Sequence, residues 1–149
     1  MQAEAEPARN SMTTRYAGRF LTGLVVLFLL FDGGAKVMMV APVVKASTEL
    51  QVPERVIPGI GIVLIVATLI YLIPQTSVLG AILLTGYLGG ATWTHVRMIG
   101  GPVFPIVFTC LFSAIIWGSL YLREPRLRAL IPLRLQPRET PAPRPAQNQ

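Results

Sequence analysis

Three stretches of the chain, residues 56–73, 78–96 and 103–122, contain no acidic or basic side chain apart from His95. Each approaches the roughly 20 apolar residues that, rising about 1.5 Å apiece, carry a helix across a hydrocarbon layer of about 30 Å. Such runs cannot all be buried inside a water-soluble domain of 149 residues. A fourth run, residues 17–40, has the right length but holds Asp32 and Lys36. In lipid, backbone groups find partners only within a helix or a closed barrel, so each run reads as a helix. The expected fold is all-α, an integral membrane four-helix bundle with helices at about 17–40, 56–73, 78–97 and 103–122. Charged residues make up only 13% of the chain, against about 25% in a typical soluble domain.

The basic residues set the expected orientation. The net charge of +6 does not read as a nucleic-acid surface, because the cations flank the apolar runs. Arg9, Arg15, Arg19, Arg123, Arg126, Arg128, Arg134, Arg138 and Arg144 fall on one side. Lys45, Arg55 and Arg97 fall on the other, and Lys36 lies within a run. The positive-inside rule then puts both termini in the cytoplasm. Tyr16, Tyr71, Trp117 and Tyr121 fall near the inner helix ends, where amphipathic rings favour the headgroup level, and Trp93 marks an outer end. A cleaved leader ending near Gly33-Gly34-Ala35 is the rival reading of the first run. The return of apolar residues at 37–44 favours a helix that stays. Residues 1–15 read as a flexible arm, 123–134 as an interfacial basic segment, and 135–149 as a disordered proline-rich tail.

Two charges inside a membrane span each cost at least about 2.5–3.5 kcal/mol on insertion scales. Asp32 and Lys36 stand four residues apart, on one helix face and in the favourable acid-first order. They are best explained as a pair turned toward the bundle interior. Thr92, His95 and Arg97 close the third run, and in the expected topology they reach the same outer depth. Together these five residues form a candidate polar cluster for binding a ligand or moving a proton. Taken singly, His95 reads as an interfacial histidine bonded to a carbonyl and Arg97 as a flank charge. Gly33, Gly34, Gly86, Gly89 and Gly90 are candidate close-packing positions, since small residues let membrane helices approach. The single cysteine, Cys110, forms no intrachain disulfide and reads as a small buried residue. No metal site, nucleophile elbow or phosphate loop is present in the sequence, so nothing points to a stand-alone enzyme.

The segment Phe28-Leu29-Leu30-Phe31-Asp32-Gly33-Gly34-Ala35-Lys36 resembles the opening helix of the DoxX-like membrane proteins. The stretch from Leu79 to Ala91, with Thr94-His95-Val96-Arg97 after it, is similar to the family's third helix, and Arg126 to Leu133 to its closing segment. The likeness covers residues 19–134. It implies a multi-pass protein of the bacterial inner membrane, in a family that includes subunits of an archaeal thiosulfate:quinone oxidoreductase. A redox- or quinone-linked accessory subunit is the function that follows, with quinone as the implied ligand and no other cofactor evident. Two other classes stay open: an oligomeric proton or solute transporter, and a membrane scaffold for a partner enzyme. The expected partners are the lipid bilayer, further copies of the chain and a membrane-bound redox protein.

Overall fold

A computed structural model of the protein describes residues 8–98, 102–124 and 127, with side chains from residue 16 onward. Five α-helices make up the described chain: α1 Ala8–Val37, α2 Ala41–Glu49, α3 Ile57–Leu72, α4 Ser77–Val96 and α5 Val103–Arg123. A single 3-10 turn, Glu54–Val56, leads into α3, and no strand occurs among the described residues. Among the described residues three helical stretches are long and apolar enough to cross a membrane: Tyr16–Val37, Glu54–Leu72 and Val103–Arg123. α4 is as long, at 20 residues, but Thr85, Thr92, Thr94 and His95 dilute its apolar character.

The first helix departs from expectation at both ends. It begins at Ala8, inside the stretch 1–15 expected to be loose, because no helix breaker separates residues 8–15 from the apolar run. It ends at Val37 rather than at 40. Met39 adopts φ 51°, a left-handed conformation that stops a helix, and Pro42 then starts α2 from one of its first two positions. Proline is welcome there because no helical partner is needed for its missing N–H. The resumed apolar stretch is therefore a second, short helix and not the outer end of the first. The interfacial segment 123–134 and the tail 135–149 lie outside the described residues, except for Arg123, Glu124 and Leu127.

The four long helices pack in a ring, α1 against α3 and α5, and α4 against the same two. Val25 and Leu29 of α1, Leu64 and Tyr71 of α3, Leu84 of α4, and Ile116 and Leu120 of α5 share one buried core. The closest approaches occur at glycines. A Cβ at Gly61 would stand 2.7 Å from the carbonyl oxygen of Gly33, and one at Gly80 would stand 2.2 Å from the amide nitrogen of Tyr71. These contacts set the α1–α3 and α3–α4 spacings. Of the expected packing glycines only Gly33 plays that part. At Gly34, Gly86, Gly89 and Gly90 a Cβ would meet nothing within 4 Å, so none of these four sets a helix spacing within the chain.

Hydroxyls within the helices are satisfied locally. Thr22, Thr68, Thr85 and Thr92 each donate to the carbonyl four residues earlier, the arrangement a low-dielectric surrounding demands. Two aromatic placements differ from expectation. Tyr71 is fully buried, its hydroxyl 2.7 Å from Ser119 Oγ and 3.1 Å from the Ile116 carbonyl, so it is a core pin and not a headgroup anchor. Trp117 donates from Nε1 to Thr85 Oγ1 at 2.9 Å, tying α5 to the middle of α4. Cys110 is exposed on the outer surface of α5, opposite to the burial expected from its size and polarity.

Candidate functional site

The ring is tightly filled only in the half that holds Tyr71. At the other end, where α1 finishes and α3 begins, the helices border a half-open cavity of about 750 Å³. Gly86 and Gly90 border it from α4, and their missing side chains leave room that larger residues would take. The volume lies within the roughly 300–1,000 Å³ of small-molecule sites.

Each surface of the cavity has its own chemistry. Phe28 of α1 and Phe108 and Phe112 of α5 form an aromatic wall, with ring centroids 5.8 Å apart for Phe28–Phe108 and 5.0 Å for Phe28–Phe112. The spacing of Phe104, Phe108 and Phe112 puts them on one helix face, and neighbouring rings in this ladder stack at 6.0 and 5.5 Å. Offset aromatic pairs of this kind present flat, polarisable surface to a bound ring. Pro42, Val43, Ala46, Ser47 and Leu50 form the roof, all but the last lying within α2. No α2 residue is fully buried, so this short helix covers the cavity without being part of the core.

The polar groups gather under the roof. Lys36 Nζ donates to both carboxylate oxygens of Asp32 at 2.5 Å, one turn apart on α1. Both side chains border the cavity, as do Thr94, His95 and Tyr87 of α4. The Tyr87 hydroxyl is within electrostatic reach of Asp32. Among the described residues no hydrogen-bond partner faces the His95 imidazole, and the ring borders the cavity.

Of the five expected site residues, Asp32, Lys36 and His95 border one cavity, whereas Thr92 and Arg97 do not. Thr92 stands behind the wall and shares a 2.7 Å hydrogen bond with the hydroxyl of Thr109, which does face the cavity. Arg97 reaches over the outside, donating from Nη2 to the Leu50 carbonyl at 3.0 Å. The aromatic wall, Tyr87 and the α2 roof are absent from the sequence-based cluster. The four-residue spacing of the phenylalanines was the available signal for the wall. No comparable pattern marks the roof, because it depends on how α2 folds back.

The opposite half is closely packed among the described residues. Tyr71, Leu64, Leu84, Ile116 and Leu120 are all fully buried there. Arg123 closes that end, donating to the Tyr71 carbonyl at 2.9 Å with its guanidinium 5.0 Å from the Tyr71 ring centroid, a cation–π arrangement. Among the described residues no group of His, Cys, Asp and Glu gathers as a metal site.

Residues 20–119 match the family model described as the DoxX-like family. No curated protein and no solved structure matches the chain.

Proposed function

Since the chain belongs to the DoxX-like family, with membrane-span-like helices, we propose that it is a multi-pass protein of the bacterial inner membrane that binds a polar-headed, quinone-like molecule. In this reading α1, α3, α4 and α5 all cross, both termini lie in the cytoplasm, and the cavity opens in the outer half of the bilayer. The observation that carries the proposal is the meeting of Asp32, Lys36 and His95 with an aromatic wall in one mainly apolar cavity. An apolar space with a few convergent polar groups is the usual form of a small-molecule site. The internally neutralised Asp32–Lys36 pair favours a neutral head that accepts from lysine or histidine over a strongly charged solute. The role is that of an accessory subunit, with the chemistry belonging to a redox partner.

The filled half of the ring weighs against transport, since a conducting path would have to pass Tyr71, Leu64 and Leu120. Use of Arg123 as an internal anchor likewise weighs against a purely external docking surface at that end. Purification in mild detergent followed by organic extraction and mass spectrometry tests the binding role. The wild type should yield an amphiphilic compound near one equivalent, and Gly90→Phe, which fills the cavity from a position free of contacts, should yield none. Equal extracts from the two proteins would overturn the proposal.

A further inference from the structure

A second, shallower groove of about 540 Å³ lies between α3 and α4, bordered by Arg55, Val56, Gly59, Ile60, Val63 and Tyr87. Ile60 and Tyr87 border the central cavity as well. Among the described residues they are the only two common to both spaces, so these two side chains form the partition between them. The cavity is half open, partly roofed by α2 and bounded at its other end by the Tyr71 core, and this partition gives it a lateral route toward the bilayer face of α3 and α4.

We infer that the occupant of the cavity is a tailed amphiphile, whose head sits beside Asp32, Lys36 and His95 and whose hydrocarbon tail leaves between Ile60 and Tyr87 to lie in the α3–α4 groove. This rests on the binding role proposed above and adds the class of ligand. The groove suits a tail. Gly59 and Val63 are one turn apart on α3, and a Cβ at Gly59 would meet nothing within 4 Å, so the floor is low at the point where the tail would emerge. Val63 is largely exposed from the chain and supplies apolar contact further along. Among the described residues on the rim of the groove Arg55 is the one cation, and its placement just before α3 keeps charge away from the path of the tail. Burial of a tail is favourable when it leaves water, but in a bilayer the tail is already in hydrocarbon. The groove therefore acts chiefly by selecting and orienting ligands that have a tail.

The test uses two photoreactive phenols, 4-hydroxybenzophenone and its 4′-dodecyl derivative, with full-chain protein in phosphatidylcholine nanodiscs. Adducts are mapped by peptide mass spectrometry, and each variant is compared with wild type for the same probe, so that differences in partitioning cancel. Both probes should label cavity residues in the wild type. Gly59→Phe and Val63→Trp should each lower cavity labelling by the dodecyl probe at least tenfold and leave labelling by the tail-less probe unchanged. Gly89→Phe adds the same bulk at an open position outside both spaces and should change neither. Unaltered dodecyl labelling in both groove variants would overturn the tail route while leaving the cavity as a binding site. An equal fall for both probes would also overturn it, since the substitutions would then be distorting the cavity. Absence of cavity labelling by either probe in the wild type would remove the binding proposal and this inference with it.

Discussion

Arg97 and Leu50 stand 47 positions apart in sequence and are joined by a 3.0 Å hydrogen bond from the guanidinium Nη2 to the backbone carbonyl. The bond fastens the far end of α2 to the last turn of α4. On either side of α2, Met39 and Gln51 adopt φ 51° and 60°, left-handed values that non-glycine residues rarely take. With no buried residue of its own, α2 depends on this tether to stay over the cavity. A charge-assisted bond at an exposed site contributes about 1 kcal/mol. Arg97→Gln should therefore speed amide hydrogen exchange across residues 41–50 by about fivefold and leave α3 and α5 unchanged. Unchanged exchange in α2 would show that the roof is held by other means.

The Asp32–Lys36 pair gives a second prediction. Lys36 is 17% exposed and Asp32 32%, and what they face is the cavity and not bulk water. Removing one partner of a buried ion pair typically costs about 3–5 kcal/mol, whereas replacing both by apolar groups is often nearly neutral. At this partial exposure the lower end of that range, about 3 kcal/mol, is the expected loss. Asp32→Asn and Lys36→Met should each reduce the yield of monodisperse protein and lower its Tm, and the double substitution should recover most of both. Single variants as stable as one changed at Gln147 would place the pair at a solvated interface.

Glycine substitutions should divide by position. Gly80→Ala drives a Cβ into the Tyr71 backbone, and Gly61→Ala drives one into the carbonyl of Gly33. Neither contact is with a flexible side-chain end, so the helices themselves must move apart. Overpacking of this kind costs about 1–3 kcal/mol or more. Gly89→Ala meets open space and should be tolerated. Thermal unfolding in detergent measures the series, and equal stability of all three variants would contradict the close approaches.

Much of this architecture was legible in sequence because lipid leaves few choices: an apolar run of the right length is a helix, and three of the four long helices begin or end within about two residues of the expected bounds. The Asp32–Lys36 contact followed from helical spacing alone. What could not be read was set by contacts between distant segments. Gly61 and Gly80 determine helix spacing because of what lies opposite them, and Gly86 and Gly90, with the more familiar small-residue spacing, border a cavity instead. Tyr71 was indistinguishable from a headgroup anchor until Ser119 and the Ile116 carbonyl were placed beside its hydroxyl. The roof was missed for a local reason: Met39 and Pro42 together turn an apolar stretch into a separate helix, and neither residue alone announces that turn.

The proposed topology makes a direct prediction for accessibility. With Cys110 replaced by serine, single cysteines introduced at Thr48, near the N-terminus and near the C-terminus should report on opposite sides. A membrane-impermeant thiol reagent applied to intact cells, after removal of the outer membrane where one is present, should label Thr48→Cys strongly and the two terminal sites only after lysis. Labelling of the termini with protection at Thr48 would invert the proposed orientation and place the cavity in the inner half of the bilayer.

The most direct test of the cavity as a ligand site is the content of bound small molecules in Asp32→Asn/Lys36→Met, compared with wild type in equal, monodisperse amounts. The double variant should keep its fold, because no unpaired charge is left behind, but it lacks the charged groups beneath the α2 roof. The compound extracted near one equivalent from wild type should fall at least tenfold in the variant, with Tm nearly unchanged. Equal recovery of that compound from a folded double variant would show that Asp32 and Lys36 take no part in binding, and would contradict the site.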